Sequence, residues 1–128
     1  MIYGLGTDII EVDRVRKTME ADPGFQHTVF TPGEIRYCES KANKYQHFAA
    51  RFCAKEAFLK ALGKGINTGI ILTDIEVCNE SSGKPFIQLT GTAKDFFRNF
   101  GFIKILVSLS HLKDMAKAVV IIEKEDRE

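Results

Sequence analysis

A chain of 128 residues, 45% hydrophobic and 27% charged, has the size and composition of one ordinary domain with a real core, not of a disordered or fibrous protein. Its net charge of +1 at pH 7 argues against broad binding to a nucleic-acid backbone. No apolar run reaches membrane-spanning length, and Met1-Ile2-Tyr3-Gly4 lacks the basic start and apolar core of a secretory signal. A cytoplasmic protein is expected, with neither membrane nor nucleic acid as a partner.

Ile2 to Val12 reads as a strand, with Gly4 and Gly6 loosening its first half. A helix is expected from about Asp13 to Glu20, stopped by the breaker Asp22-Pro23-Gly24. Thr31-Pro32-Gly33-Glu34 is a helix start: Thr31 can cap, Pro32 fits the first helical position, and Glu34 can close a capping box. That helix runs to about Ser40. A long central helix follows from about Lys44 to Leu62, rich in Ala, Leu, Lys and Glu, with Phe48, Phe52, Leu59 and Leu62 at helical spacing. Gly63 stands where a left-handed cap is wanted.

The second half turns to strands. Ile70 to Cys78 and Pro85 to Leu89 form an expected hairpin around a polar turn. Thr92 to Phe100 reads as an amphipathic helix through Ala93, Phe96, Phe97 and Phe100, and Ile103 to Ser110 and Met115 to Glu123 as the last two strands. Short turns between strands imply a mainly antiparallel sheet with helices on one side, an α+β domain spanning 1–128.

Two carboxylates interrupt this pattern. Asp8 falls in Gly4-Leu5-Gly6-Thr7-Asp8-Ile9-Ile10, which is apolar on both faces, and Glu56 lies at the margin of the apolar stripe of the long helix. Asp8 could instead end the strand and cap the next helix. Alternatively, the two acids converge on one hard cation, since two carboxylates plus phosphates and waters are how Mg²⁺ is usually held. Lys60, one turn beyond Glu56, would then reach a phosphate; its plain alternative is a helical pair with Glu56. Residues 36–64 carry seven cations against two carboxylates, a surface suited to an anion larger than one carboxylate or simply a solvated helix face.

Other motifs are weak or absent. Three cysteines without CxxC spacing read as reduced thiols, and His27, His47 and His111 are too scattered for zinc. No Walker-type phosphate loop is present, and Ser108…His111 has no GxSxG elbow, so neither a nucleoside triphosphatase nor a serine hydrolase is expected. Gly63-Lys64-Gly65 permits close backbone approach to a ligand.

Gly6-Thr7-Asp8-Ile9, followed some fifty residues later by Phe52-Cys53-Ala54-Lys55-Glu56-Ala57-Phe58-Leu59-Lys60, resembles the two-part signature of the 4′-phosphopantetheinyl transferases. Met1 to Gly6, Asp74 to Val77, Gly83-Lys84-Pro85 and Val107 to His111 extend the likeness along nearly the whole chain, toward the short holo-acyl-carrier-protein synthase type. The resemblance implies transfer of the phosphopantetheine arm of coenzyme A to a serine of an apo acyl carrier protein, with Mg²⁺ or Mn²⁺. It further implies Asp8 and Glu56 as metal ligands and catalytic residues together with Lys60, which would hold the diphosphate. Arg51, Lys55, Gly63, Lys64, Gly65 and His111 become expected coenzyme A contacts, and Arg14, with Arg16 and Lys17, the expected docking surface for an acidic carrier protein. Glu11 and Glu34 are candidate bases, without preference between them.

The same resemblance implies a homotrimer with sites between subunits, and ten Phe are compatible with an aromatic interface. Two rival readings are a non-catalytic coenzyme A or nucleotide module, which would not need both acids, and a Mg²⁺-dependent phosphohydrolase, against which the lack of a DxD pair counts.

Overall fold

The computed structural model describes residues 1–63 and 69–125. Strand β1 (Ile2–Glu11) opens the chain and leads without a turn into helix α1 (Val12–Ala21). Asp22-Pro23-Gly24 stops α1 as expected, but it also starts a helix that sequence reading missed, α2 (Pro23–Val29). Pro23 sits at the helix start and the Asp22 carboxylate accepts from the Gly24 N–H, so the breaker of one helix is the cap of the next. Helix α3 (Pro32–Glu39) has the expected capping box: Thr31 accepts from the Glu34 N–H and Glu34 from the Thr31 N–H. Helix α4 (Lys44–Ala61) follows, and Gly63 beyond it adopts φ +74°.

Downstream of the undescribed segment, the expected strand from Ile70 begins late. Leu72–Asp74 is a 3-10 turn, and strand β2 covers only Ile75–Asn79, pairing antiparallel with β3 (Pro85–Leu89). Helix α5 ends earlier than expected (Gly91–Phe96), and at its start Asp74 accepts from the Thr92 N–H and hydroxyl. Strands β4 (Ile103–His111) and β5 (Met115–Lys124) complete the fold. The expected single sheet is two: β1-β5-β4, antiparallel throughout, and the separate β2-β3 hairpin.

Helix α4 is the core. Phe48, Ala49, Cys53, Ala54, Ala57 and Phe58 are all fully buried, and Arg51 and Lys55 are buried with them, so the helix is enclosed rather than laid on a surface. One side lies on the inner face of the three-stranded sheet, against Ala116, Ala118, Val120 and Ile122 of β5. Phe30 packs on Phe48, and Phe97 on Phe58, at the flanks. The outer face of the sheet is apolar too: Leu5, Ile9 and Leu106 are exposed, with Leu5 and Leu106 each pairing Ile121 across the strands.

The phenylalanines behave differently from expectation. Only Phe86 and Phe102 are exposed; the other eight are wholly or partly buried. On the outer face of the three-stranded sheet the uncovered apolar surface is aliphatic, carried by Leu5, Ile9 and Leu106.

Candidate active site

Glycine spacing on β1 sets the site. Gly4 and Gly6 face α4 so closely that a Cβ on Gly4 would stand 1.8 Å from the Ala61 carbonyl oxygen, and one on Gly6 1.9 Å from that of Ala57. These glycines therefore do not loosen the strand; they let helix and strand touch through backbone. Two residues along β1 is close to one helical turn along α4 in rise, so the next inward position, Asp8, falls beside the preceding turn of α4. Asp8 is a strand residue paired with Ala118, not the cap of α1; Glu11 stands at the start of that helix without a side-chain cap bond.

Asp8, Glu56 and Lys60 come together there. Lys60 Nζ donates to Asp8 Oδ1 at 3.0 Å and to the Thr7 carbonyl at 3.2 Å. The ammonium thus prefers β1 to its helical neighbour Glu56. Lys60 is largely exposed, so the pair adds at most about 1 kcal/mol to stability. Glu56 is half-buried, and its carboxyl is held above its usual range by burial first and by the negative charge of Asp8 second, with Lys60 opposing. Burial also pushes the neighbouring Cys53 thiol up to about 12, with Asp8 adding to the effect. A half-buried carboxylate whose ionisation is made costlier by a second carboxylate beside it is a donor set that a hard divalent cation relieves. No cluster of three or more His, Cys, Asp or Glu occurs among the described residues, so a cation here would keep other ligands from water or phosphate.

Arg51 and His111 meet elsewhere. They line a hollow of about 430 Å³ with Tyr37, His47, Asn79 and Lys84, to which none of Asp8, Glu56 and Lys60 contributes. Arg51 is buried, lies over the Tyr37 ring at 4.0 Å, and donates to Asn79 Oδ1 at 2.6 Å, while its Nε has no partner. His111 Nδ1 lies 2.9 Å from Gln46 Oε1, which requires a proton on Nδ1, and its ring meets that of His47 edge-on. Burial, then the charges of His111 and Arg51, hold His47 below its usual range. Tyr37, His47, Asn79 and Lys84 were not singled out from sequence. The spacing of His47 and Arg51, four apart on one helix, was the one local signal available.

Lys55 is a correction. It is completely buried, and its ammonium donates to the Val29 carbonyl, Glu34 Oε1 and the Leu72 carbonyl at 2.7, 2.7 and 3.0 Å. Three donors, three acceptors: no proton is left for a phosphate. Glu34 is consumed by the same network, accepting also from the Thr31 and Val77 N–H groups, and it is therefore no candidate base. Glu11 is exposed. Lys64 and Gly65 lie outside the described residues.

On α1, Arg16 is paired with Asp13 and Glu20, and Lys17 with Asp13. Arg14 has no ion pair among the described residues. It is exposed and borders a hollow of about 180 Å³ with Ile10, Val15, Thr18, Phe25 and Phe52. Ile10 is the next inward residue after Asp8, and Phe52 is one turn before Glu56, so this small apolar hollow adjoins the carboxylates.

A strand that carries an acid and is clamped by glycines to a buried helix with a second acid and a lysine is the frame of this site. Residues 4–120 match the profile of the 4′-phosphopantetheinyl transferase superfamily, and the chain belongs to it. Within that superfamily it is 47% identical to a holo-[acyl-carrier-protein] synthase of Cytophaga hutchinsonii, over 97% of this chain and 99% of the relative. The crystal structure of the holo-[acyl-carrier-protein] synthase from Neisseria meningitidis superposes with a TM-score of 0.84 at 30% identity, covering 97% of this chain and all of that one. A Bacillus anthracis synthase, solved in complex with CoA (3′,5′-ADP), gives 0.81 at 32% identity over 98% and 99% of the two chains.

Proposed function

We propose that this chain transfers the 4′-phosphopantetheine group of coenzyme A to a serine of an apo acyl carrier protein and releases adenosine 3′,5′-bisphosphate. The observation that carries this reading is the meeting of Asp8 and Glu56 with Lys60 in a chain nearly half identical to a synthase of that name.

Asp8 and Glu56 would hold Mg²⁺, with Mn²⁺ as a substitute, and the bound cation would supply positive charge against the diphosphate. The serine oxygen forms its bond to the β-phosphorus as the bond to the bridging oxygen breaks; the bisphosphate leaves with that oxygen, and the serine proton passes to water. Lys60 supplies a mobile ammonium to the negative charge that gathers on the phosphoryl oxygens. Half-burial of Glu56 keeps its carboxylate poorly hydrated and so available to a cation.

The second part of the coenzyme lies on Arg51 and His111. Their hollow is lined by Lys84 as well and by no acid, which suits a phosphate. Because that hollow is separate from Asp8 and Glu56, one coenzyme is best held by two subunits, and the proposed assembly is a homotrimer with its sites between protomers. The aliphatic outer sheet face, with Leu5, Ile9 and Leu106 exposed, supports such an interface. Free thiols at Cys38, Cys53 and Cys78 suit a reducing cytoplasm. Arg14, with no ion pair among the described residues and beside an apolar hollow, is the favoured contact for the carrier protein, since it offers a charge and a pocket together.

The test is intact-protein mass spectrometry of an apo acyl carrier protein incubated with this protein and coenzyme A, with Mg²⁺ or with excess chelator. A gain of one phosphopantetheine only with metal, accompanied by adenosine 3′,5′-bisphosphate, is the expected outcome. Coenzyme A binding without any mass gain, across several carrier proteins, would leave a binding module instead.

A further inference from the structure

Lys60 sits on the wrong partner for a simple phosphate-binding residue. Its ammonium is bonded to Asp8 and to the Thr7 carbonyl, both on β1, although Glu56 lies one turn away on its own helix. Helix and strand are locked by the backbone contact at Gly6, so the Lys60 Cα cannot withdraw, but the exposed four-carbon stem can swing. A divalent cation on Asp8 would meet an ammonium about 3 Å from the same oxygen, and like charges at that distance exclude one another. The Thr7 carbonyl alone is a neutral acceptor and holds the ammonium weakly.

We infer that Lys60 couples the two ligands of the site: it occupies Asp8 until a divalent cation claims that carboxylate, then turns to the diphosphate of the coenzyme. Each ligand thereby strengthens the binding of the other, by the same factor in both directions. The inference rests on the proposed roles of Asp8 and Glu56 as metal ligands and of Lys60 at the diphosphate. It adds that Lys60 opposes the metal in the absence of coenzyme and assists it in its presence.

The experiment is Mn²⁺ binding followed by the electron paramagnetic resonance of the free ion, with and without coenzyme A. The wild type is compared with Lys60→Met and Lys60→Arg, and circular dichroism checks the fold of each. Without coenzyme, Lys60→Met should bind Mn²⁺ about two- to fivefold tighter, the most that an exposed ion pair holds back. Lys60→Arg, which keeps a cation on Asp8, should stay near the wild type. The factor by which coenzyme A improves Mn²⁺ affinity should fall in Lys60→Met. Unchanged or weaker Mn²⁺ binding by Lys60→Met alone would overturn the coupling, and so would an equal tightening with and without coenzyme, which marks only the loss of a nearby charge. A wild type that binds no Mn²⁺ even with coenzyme A would overturn the metal site itself, and the coupling with it.

Discussion

The carbonyl oxygen of Ala57 lies 1.9 Å from the point where a side chain on Gly6 would begin. Strand and central helix therefore meet through bare backbone, and this contact sets how far Asp8 stands from Glu56. Gly6→Ala must push β1 off α4. Overpacking of this kind costs about 1–3 kcal/mol, read as a lower urea midpoint. Because the shift reaches the site, divalent-cation affinity should weaken as well, even where the protein remains fully folded. Wild-type cation affinity in a folded Gly6→Ala variant would show that the spacing does not matter to the site.

Glu56→Gln should separate stability from turnover. The folded carboxyl has its proton affinity raised by burial and by Asp8, so above the ordinary value of 4.5 the native state binds more protons than the unfolded chain. Stability without metal must therefore fall as pH rises through that range toward the folded value, then level off. Glutamine lacks this cost. The variant should melt higher than the wild type at neutral pH in chelator, with the advantage fading below about pH 4.5. Turnover should drop by more than about 10²-fold. A lower melting temperature across the whole range would contradict the assigned electrostatics.

Lys55 offers the opposite case, a residue of the family signature whose work is structural. Lys55→Met leaves the Glu34 carboxylate buried without its cation, a loss of about 3–5 kcal/mol. Adding Glu34→Gln to that variant should restore a good part of it, since the amide oxygen can still accept a backbone N–H. Denaturant titration of the singles and the double completes the cycle. A mild phenotype for Lys55→Met, confined to the KM for coenzyme A, would instead return Lys55 to the substrate.

Arg14→Ala should raise the KM for carrier protein about tenfold, the worth of one charge-assisted hydrogen bond, and leave that for coenzyme A unchanged. Arg16→Ala should do much less, because Arg16 is already occupied by Asp13 and Glu20. Equal changes in both KM values for Arg14→Ala would remove it from the docking surface.

Local chemistry made much of this molecule legible before any coordinates. The capping box at Thr31, the long helix from Lys44, the left-handed Gly63 and the last two strands depend on near neighbours, and each is where reading placed it. Asp8 and Glu56 were visible because charge in an apolar setting is costly wherever the chain goes. Helix α2 was hidden because a Pro that stops one helix also fits the first turn of the next, and only the path taken after Asp22 decides between the two.

What the sequence could not settle was direction across space. Arg51 and Lys55 are four residues apart on one helix and both cationic. One reaches an acid-free hollow, while the other ends among three oxygens supplied by α2, α3 and the turn before β2. The same holds for Lys60, whose choice of Asp8 over Glu56 follows from the closeness of β1. Spacing along the chain determined which side chains share a helix face; which partner each one meets was decided only when Gly4 and Gly6 let strand and helix close to contact, because a hydrogen bond is settled by tenths of an ångström.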